Sequence, residues 1–125
     1  MAGFQAGAFW RDVLAQDPAA LPGWFAPGAR IHWPCTNERF TVAEYVRANC
    51  AYPGQWDGRV ERELWAGDTL VTVARVFAKE GGPSFHVTGI FRFAGGKIAQ
   101  MDEYWADDGP PPLWRQEMGL GEKIV

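Results

Sequence analysis

The apolar positions of this chain change their period partway along it, from helical spacing before about residue 50 to strict alternation after about residue 60. Phe9, Trp10, Val13 and Leu14 fall on one side of a first helix. Asp17-Pro18 then supplies an N-cap and a proline at the first helical position. These open a short second helix that carries Leu21, Trp24 and Phe25 and stops at Pro27-Gly28. A brief strand, Ala29 to Trp33, sets Ile31 and Trp33 on one face and His32 on the other, and Pro34 ends it. Thr41-Val42-Ala43-Glu44 has the form of a capping box and opens a third helix through about Cys50. On that helix Tyr45 and Asn49 lie one turn apart beside Val42 and Val46. Such a face is either a pocket wall or a core face with two satisfied polar groups.

After a turn at Tyr52-Pro53-Gly54 the pattern becomes strand-like. It predicts Val60 to Trp65, a turn at Gly67-Asp68, Thr69 to Ala78, and a turn at Gly81-Gly82. A long hairpin follows, Phe85 to Phe93 and Lys97 to Trp105 across Gly95-Gly96. In its second strand Ala99, Met101, Glu103 and Trp105 share a face, which places one carboxylate on an otherwise apolar surface. From Asp107 onward the tail reads as irregular, with Pro110-Pro111-Pro112, and Trp114 is expected to pin it to the body. Helices first and antiparallel strands afterwards make an α+β order. The expected architecture is a cone, a strongly curved, mostly antiparallel sheet wrapped around about three N-terminal helices. A length of 125 residues suits one domain, 1–125.

Composition narrows the function. Seven tryptophans in so short a chain suit a lined cavity or an aromatic interface, beyond those that fill a core. A net charge of −3 without a basic run argues against nucleic acid and anionic membranes. No segment has the length of a membrane span, and the first amphipathic segment lacks a leader's apolar core, so a cytoplasmic location is expected. Cys35 and Cys50 read as free thiols, and no His or Cys spacing suggests a metal. No glycine-rich phosphate loop is present, so no cofactor is expected.

Glu103 is the first candidate for catalysis, because an apolar wall raises a carboxyl pKa toward working pH. Its other reading is structural, a carboxylate held by backbone amides, an indole N–H or Arg75. His86 is the second candidate, although alternation sets it opposite the apolar face of its strand, with Thr88 and Arg92. Trp33, Asn37, Tyr45, Trp56 and Trp105 are the candidate ligand-binding residues, apolar walls with a few fixed polar groups.

The order of elements, with the ending Gly96-Lys97-Ile98 to Asp102-Glu103-Tyr104-Trp105, resembles the nuclear transport factor 2-like superfamily and its SnoaL-like proteins. Trp33 to Thr41, Arg47 to Trp56 and Asp102 to Gly109 are similar to a subgroup of small SnoaL-like proteins. The resemblance implies the cone fold and a homodimer through the outer sheet face. It leaves function open, since this fold hosts isomerases, dehydratases, cyclases, hydrolases and binding modules. Limonene epoxide hydrolases share the fold, and their water-activating carboxylate matches Glu103. Their Arg-x-Asp pair would fall near Leu70 and Thr72, which supply neither group. The His–Asp pair of SnoaL-like cyclases has no assigned place on His86 or His32. The leading expectation is a protein that binds a small, largely apolar organic molecule, with Glu103 available for proton transfer. The alternative is a non-catalytic ligand-binding or protein-interaction module.

Overall fold

The alternating half of the chain builds most of a six-stranded sheet. The computed structural model describes residues 3–125, so the first two residues of the expected 1–125 domain lie outside it. The elements are α1 (Ala6–Leu14), β1 (Phe25–Trp33), β2 (Glu38–Phe40), α2 (Val42–Ala51), β3 (Trp56–Ala66), β4 (Thr69–Ala78), β5 (Ser84–Ala94), β6 (Lys97–Asp107) and α3 (Leu113–Glu117). The strand order is β2-β1-β6-β5-β4-β3. Every neighbouring pair is antiparallel except β1 and β6, which run parallel. The expected α+β cone is what forms, an open, curved sheet around the helices. No helix among the described residues is long and apolar enough to cross a membrane.

Three elements differ from the pattern's prediction. The second helix is only a 3-10 turn, Leu21–Trp24, and β1 already begins at Phe25. Asp17 does cap the backbone N–H groups of Ala19 and Ala20. Pro22 and Gly23 behind that cap disfavour a continuing α-helical ladder. The short strand β2, too brief to show a period, pairs with the end of β1. Trp114 is 60 % exposed and does not pin the tail, because the Pro110–Pro112 spacer carries α3 clear of the body.

Curvature comes from register irregularities, which bend and twist a bulged strand. One lies in β3 between Val60 and Arg62, another where Arg92 pairs with Gln100 but Phe93 with Ile98. The second leaves Ala99 as the extra residue, so Ile98 and Met101 are both fully buried and the expected inner position of Ala99 passes to Ile98. Glu103 and Trp105 keep the inward face beyond the bulge.

The two long helices are tied end to end. Asn49 Nδ2 donates to the Val13 carbonyl at 3.0 Å, near the end of α1. Gln16 Nε2 donates to the carbonyls of Asn49 and Tyr52, at 2.9 and 2.7 Å, at the end of α2. Side-chain amides near each helix C-terminus thus bond to carbonyls at the end of the other helix, where the intrahelical ladder runs out. The capping box of α2 forms as expected, with Glu44 N donating to Thr41 Oγ1 at 3.2 Å and Thr41 N to Glu44 Oε1 at 2.9 Å. At one end of the sheet Phe4, Phe9, Phe25, Phe91 and Phe93 fill the core. The other end holds the candidate site.

Gly58, in β3, shows how tightly the strands approach. A Cβ there would stand 2.3 Å from the Arg75 carbonyl oxygen, and backbone cannot swing aside as a side chain can. Gly58→Ala is expected to cost about 1–3 kcal/mol, read as a lower urea midpoint; an unchanged midpoint would show that β3 and β4 separate there freely.

Candidate functional site

Glu103 is 1 % exposed, on the inner face of β6. The parallel pairing of β1 with β6 sets His32 opposite Asp102, so the next residues, Trp33 and Glu103, are neighbours as well. Trp33 Nε1 donates to Glu103 Oε1 at 3.1 Å. Oε2 has no hydrogen-bond partner among the described residues. Burial pushes the carboxyl from its ordinary 4.5 up to about 7, while the Trp33 hydrogen bond and the nearby Trp105 indole pull the other way. The Trp105 N–H is close enough to act on the carboxyl, yet its geometry falls short of a hydrogen bond, and it is among the unpartnered groups.

Glu103 lines a cavity of about 250 Å³ between the sheet and the tied ends of α1 and α2. Trp10, Trp33, Trp56 and Trp105 share this lining with Tyr52 and Phe85. Trp105 is the hub of the aromatic wall, with its ring centroid 6.3 Å from Trp10, 6.5 Å from Trp33 and 5.9 Å from Phe85. Trp56 continues the wall, 5.5 Å from Phe85 and 5.4 Å from Tyr52. The indole of Trp56 is held by the Pro53 carbonyl, whereas Trp10 Nε1 has no partner among the described residues. Four of the seven tryptophans therefore surround one space.

The structure brings Glu103, Trp33, Trp56 and Trp105 together and leaves three other candidates apart. Tyr45 is 1 % exposed and packs behind Trp33, their ring centroids 6.4 Å apart, without lining the cavity. Burial first, and the Glu103 carboxylate second, raise its phenol pKa well above the ordinary value. Asn37 sits in a left-handed turn before β2, in an outer concavity with His32, Arg39 and Asp102. There Arg39 Nε donates to His32 Nε2 at 3.2 Å, which leaves Nδ1 to donate to Asp102 at 2.7 Å.

His86 also faces outward, as its alternation implies. Its Nδ1 pairs with Asp108, and its Nε2 lies 3.3 Å from Glu61 on the bulge of β3. Arg75, one reading's partner for Glu103, is on this face too, 3.8 Å from Asp108.

Sequence reasoning did not single out Trp10, Tyr52, Phe85 or Asp107. For Asp107 a signal existed, because extending the Glu103-Trp105 alternation one step further lands on it. For Trp10 and Tyr52 none did, since only tertiary packing brings α1 and the end of α2 over β6.

The chain belongs to the SnoaL-like domain family, whose pattern it matches over residues 6–101. No curated protein matches it. Among solved structures, a candidate ketosteroid isomerase of Kribbella flavida superposes with a TM-score of 0.74 at 22 % identity, covering 94 % of this chain and 84 % of that one. A candidate polyketide cyclase of Sinorhizobium meliloti gives 0.62 at 22 % identity, over 76 % of this chain and 88 % of that one. An LEH-like epoxide hydrolase of M. tuberculosis gives 0.65 at 14 % identity, over 79 % and 77 %. At such identities the likeness is one of fold, the nuclear transport factor 2-like cone.

The buried acid has a consequence for stability. Its folded pKa lies above the unfolded value, so the folded state holds the extra proton between about 4.5 and about 7. This group's contribution to stability therefore falls as pH rises through that window and is least favourable above it. Glu103→Gln removes the penalty. Urea melts are expected to show the variant gaining on the wild type as pH rises from about 4 to about 8.5, by up to about 3 kcal/mol. A difference that stays constant with pH would mean an acid of ordinary pKa.

Proposed function

We propose that this protein binds a small, largely apolar organic molecule in the aromatic cavity and that Glu103 moves a proton on it, in a reaction of isomerase, dehydratase or hydrolase type. The observation that carries the reading is the Glu103 carboxyl, buried, lining the cavity and with one oxygen unpartnered. A buried polar group left unpaired is costly, and a ligand that engages it removes the cost. Near pH 7 such a group is present in both protonation states, the condition under which general acid–base transfer is efficient. The neighbours of this fold carry names drawn from isomerisation, cyclisation and epoxide opening. Leu70 and Thr72, the places of the Arg-x-Asp pair, are both fully buried in β4, and Thr72 stands in line with Glu103 across Gly89. The reading therefore favours proton transfer on the ligand itself over epoxide opening.

A second reading, a binding module without chemistry, rests on the Trp33 bond to Glu103 and on the position of Asn37 and His86 outside the cavity. The same proposal includes a homodimer. The outer sheet face exposes Leu64 and Tyr104 beside the half-buried Val71, Val73 and Ile90, and a second copy would cover it. It also includes a cytoplasmic location, where Cys35 and Cys50 stay free.

A thermal-shift screen of small metabolites on the wild type and Glu103→Gln separates the readings. A ligand at about a hundred times its dissociation constant adds about 2.7 kcal/mol of stability. The expected result is a hit retained by the variant with turnover lost by at least about a hundredfold. A hit with no turnover in either protein favours the binding module, and no hit in either sinks both.

A further inference from the structure

Resting on that reading, the structure assigns a chemical class to the ligand: we propose that the cavity receives a small organic cation, an alkylated ammonium whose apolar shell packs against the aromatic wall. Six aromatic side chains, Trp10, Trp33, Tyr52, Trp56, Phe85 and Trp105, line it, with carboxylates from Glu103 and Asp107. No Lys, Arg or His is in the lining among the described residues. Arg11, Arg59 and Lys79 line an adjoining cleft between α1 and β3, which shares Trp10, Leu14 and Trp56 with the cavity and where Asp57 and Glu63 accompany them.

Each part of that inventory selects against another class of ligand. An anion would meet two carboxylates with no cation to offset them. A neutral hydrocarbon would fill the space and leave both carboxylates unused. A cation is attracted by the quadrupole of each ring it faces, most strongly by tryptophan and when desolvated. It also supplies the positive charge that a carboxylate buried as deeply as Glu103 lacks. The two acids are four residues apart on one face of β6, with Trp105 between them. Glu103 is buried and Asp107 exposed, so one carboxylate marks the floor and the other the entrance. A volume of about 250 Å³ is below the range of drug-sized sites and suits a small ligand. The tryptophan-rich composition thus has a use beyond core filling.

Choline and 3,3-dimethylbutan-1-ol have the same shape and differ only in the charge on the quaternary centre, and calorimetric titration of each tests the assignment. Choline is expected to bind the wild type at least about tenfold more tightly than the neutral alcohol. Asp107→Asn, at an exposed position where folding is not at stake, should weaken choline about threefold or more and leave the alcohol unchanged. Equal or tighter binding of the alcohol overturns the cation assignment and leaves the cavity reading standing. So does a neutral hit in the metabolite screen with choline silent. Silence of both probes and of the screen removes the cation assignment and the cavity reading together.

Discussion

The rest of the site depends on one unfavourable placement, a carboxyl group taken out of water into an aromatic interior. Such a group is tolerated when it stays protonated or gains donors. Here both apply in part, since burial raises the pKa of Glu103 to about 7 and Trp33 donates to one oxygen. The donor is available only because β1 runs parallel to β6 and ends beside it. With that pairing shifted by one residue, Trp33 would turn to the outer face and the acid would lose its hydrogen bond. The parallel pair, the exception in this sheet, is therefore what makes the buried acid sustainable.

The space in front of the acid follows from how the helices end. Side chains of Gln16 and Asn49 satisfy the terminal carbonyls across the α1–α2 junction, and both residues line the cavity. The helices are thereby fixed over the sheet with the hollow between their ends and β6, bounded on one side where Trp10 of α1 meets Trp105. At the opposite end Phe4 packs at a tilt against Phe91 and Phe93, ring centroids 5.6 and 4.9 Å apart, within the hydrophobic core. One sheet thus carries a filled core and a lined hollow, and the boundary between them passes close to Trp10 and Trp105.

Much of this was legible in the sequence, and what escaped it escaped for physical reasons. The α+β order, the capping box and the hairpin follow from period and turn chemistry, which are local. The inward position of Glu103 followed from alternation, and it survived because the bulge at Ala99 precedes it; the same bulge exchanged Ala99 for Ile98 at the inner face. β2 is three residues long, too short for any period to register. Asn37 read as one of the few fixed polar groups of a pocket, but its left-handed turn carries it to an outer concavity. Trp10 reaches the cavity through long-range packing, for which a single sequence holds no signal.

The alternation of β6 also sorts the titratable groups by role. On its outer side Asp102 holds His32, and just past its end Asp108 holds His86, with Ser84 and Arg75 completing the second group. On its inner side Glu103 and Asp107 face aromatic rings and no base. The outer acids already have partners within the chain, so the fold satisfies them by itself. The inner Glu103 has the Trp33 indole on one oxygen alone and no basic partner among the described residues, and the Arg11, Arg59 and Lys79 of the adjoining cleft are not part of its lining. A protein that pairs its outer carboxylates so completely, while leaving an inner one short of a hydrogen bond in a lined hollow, has placed the unmet electrostatic demand where a ligand can meet it.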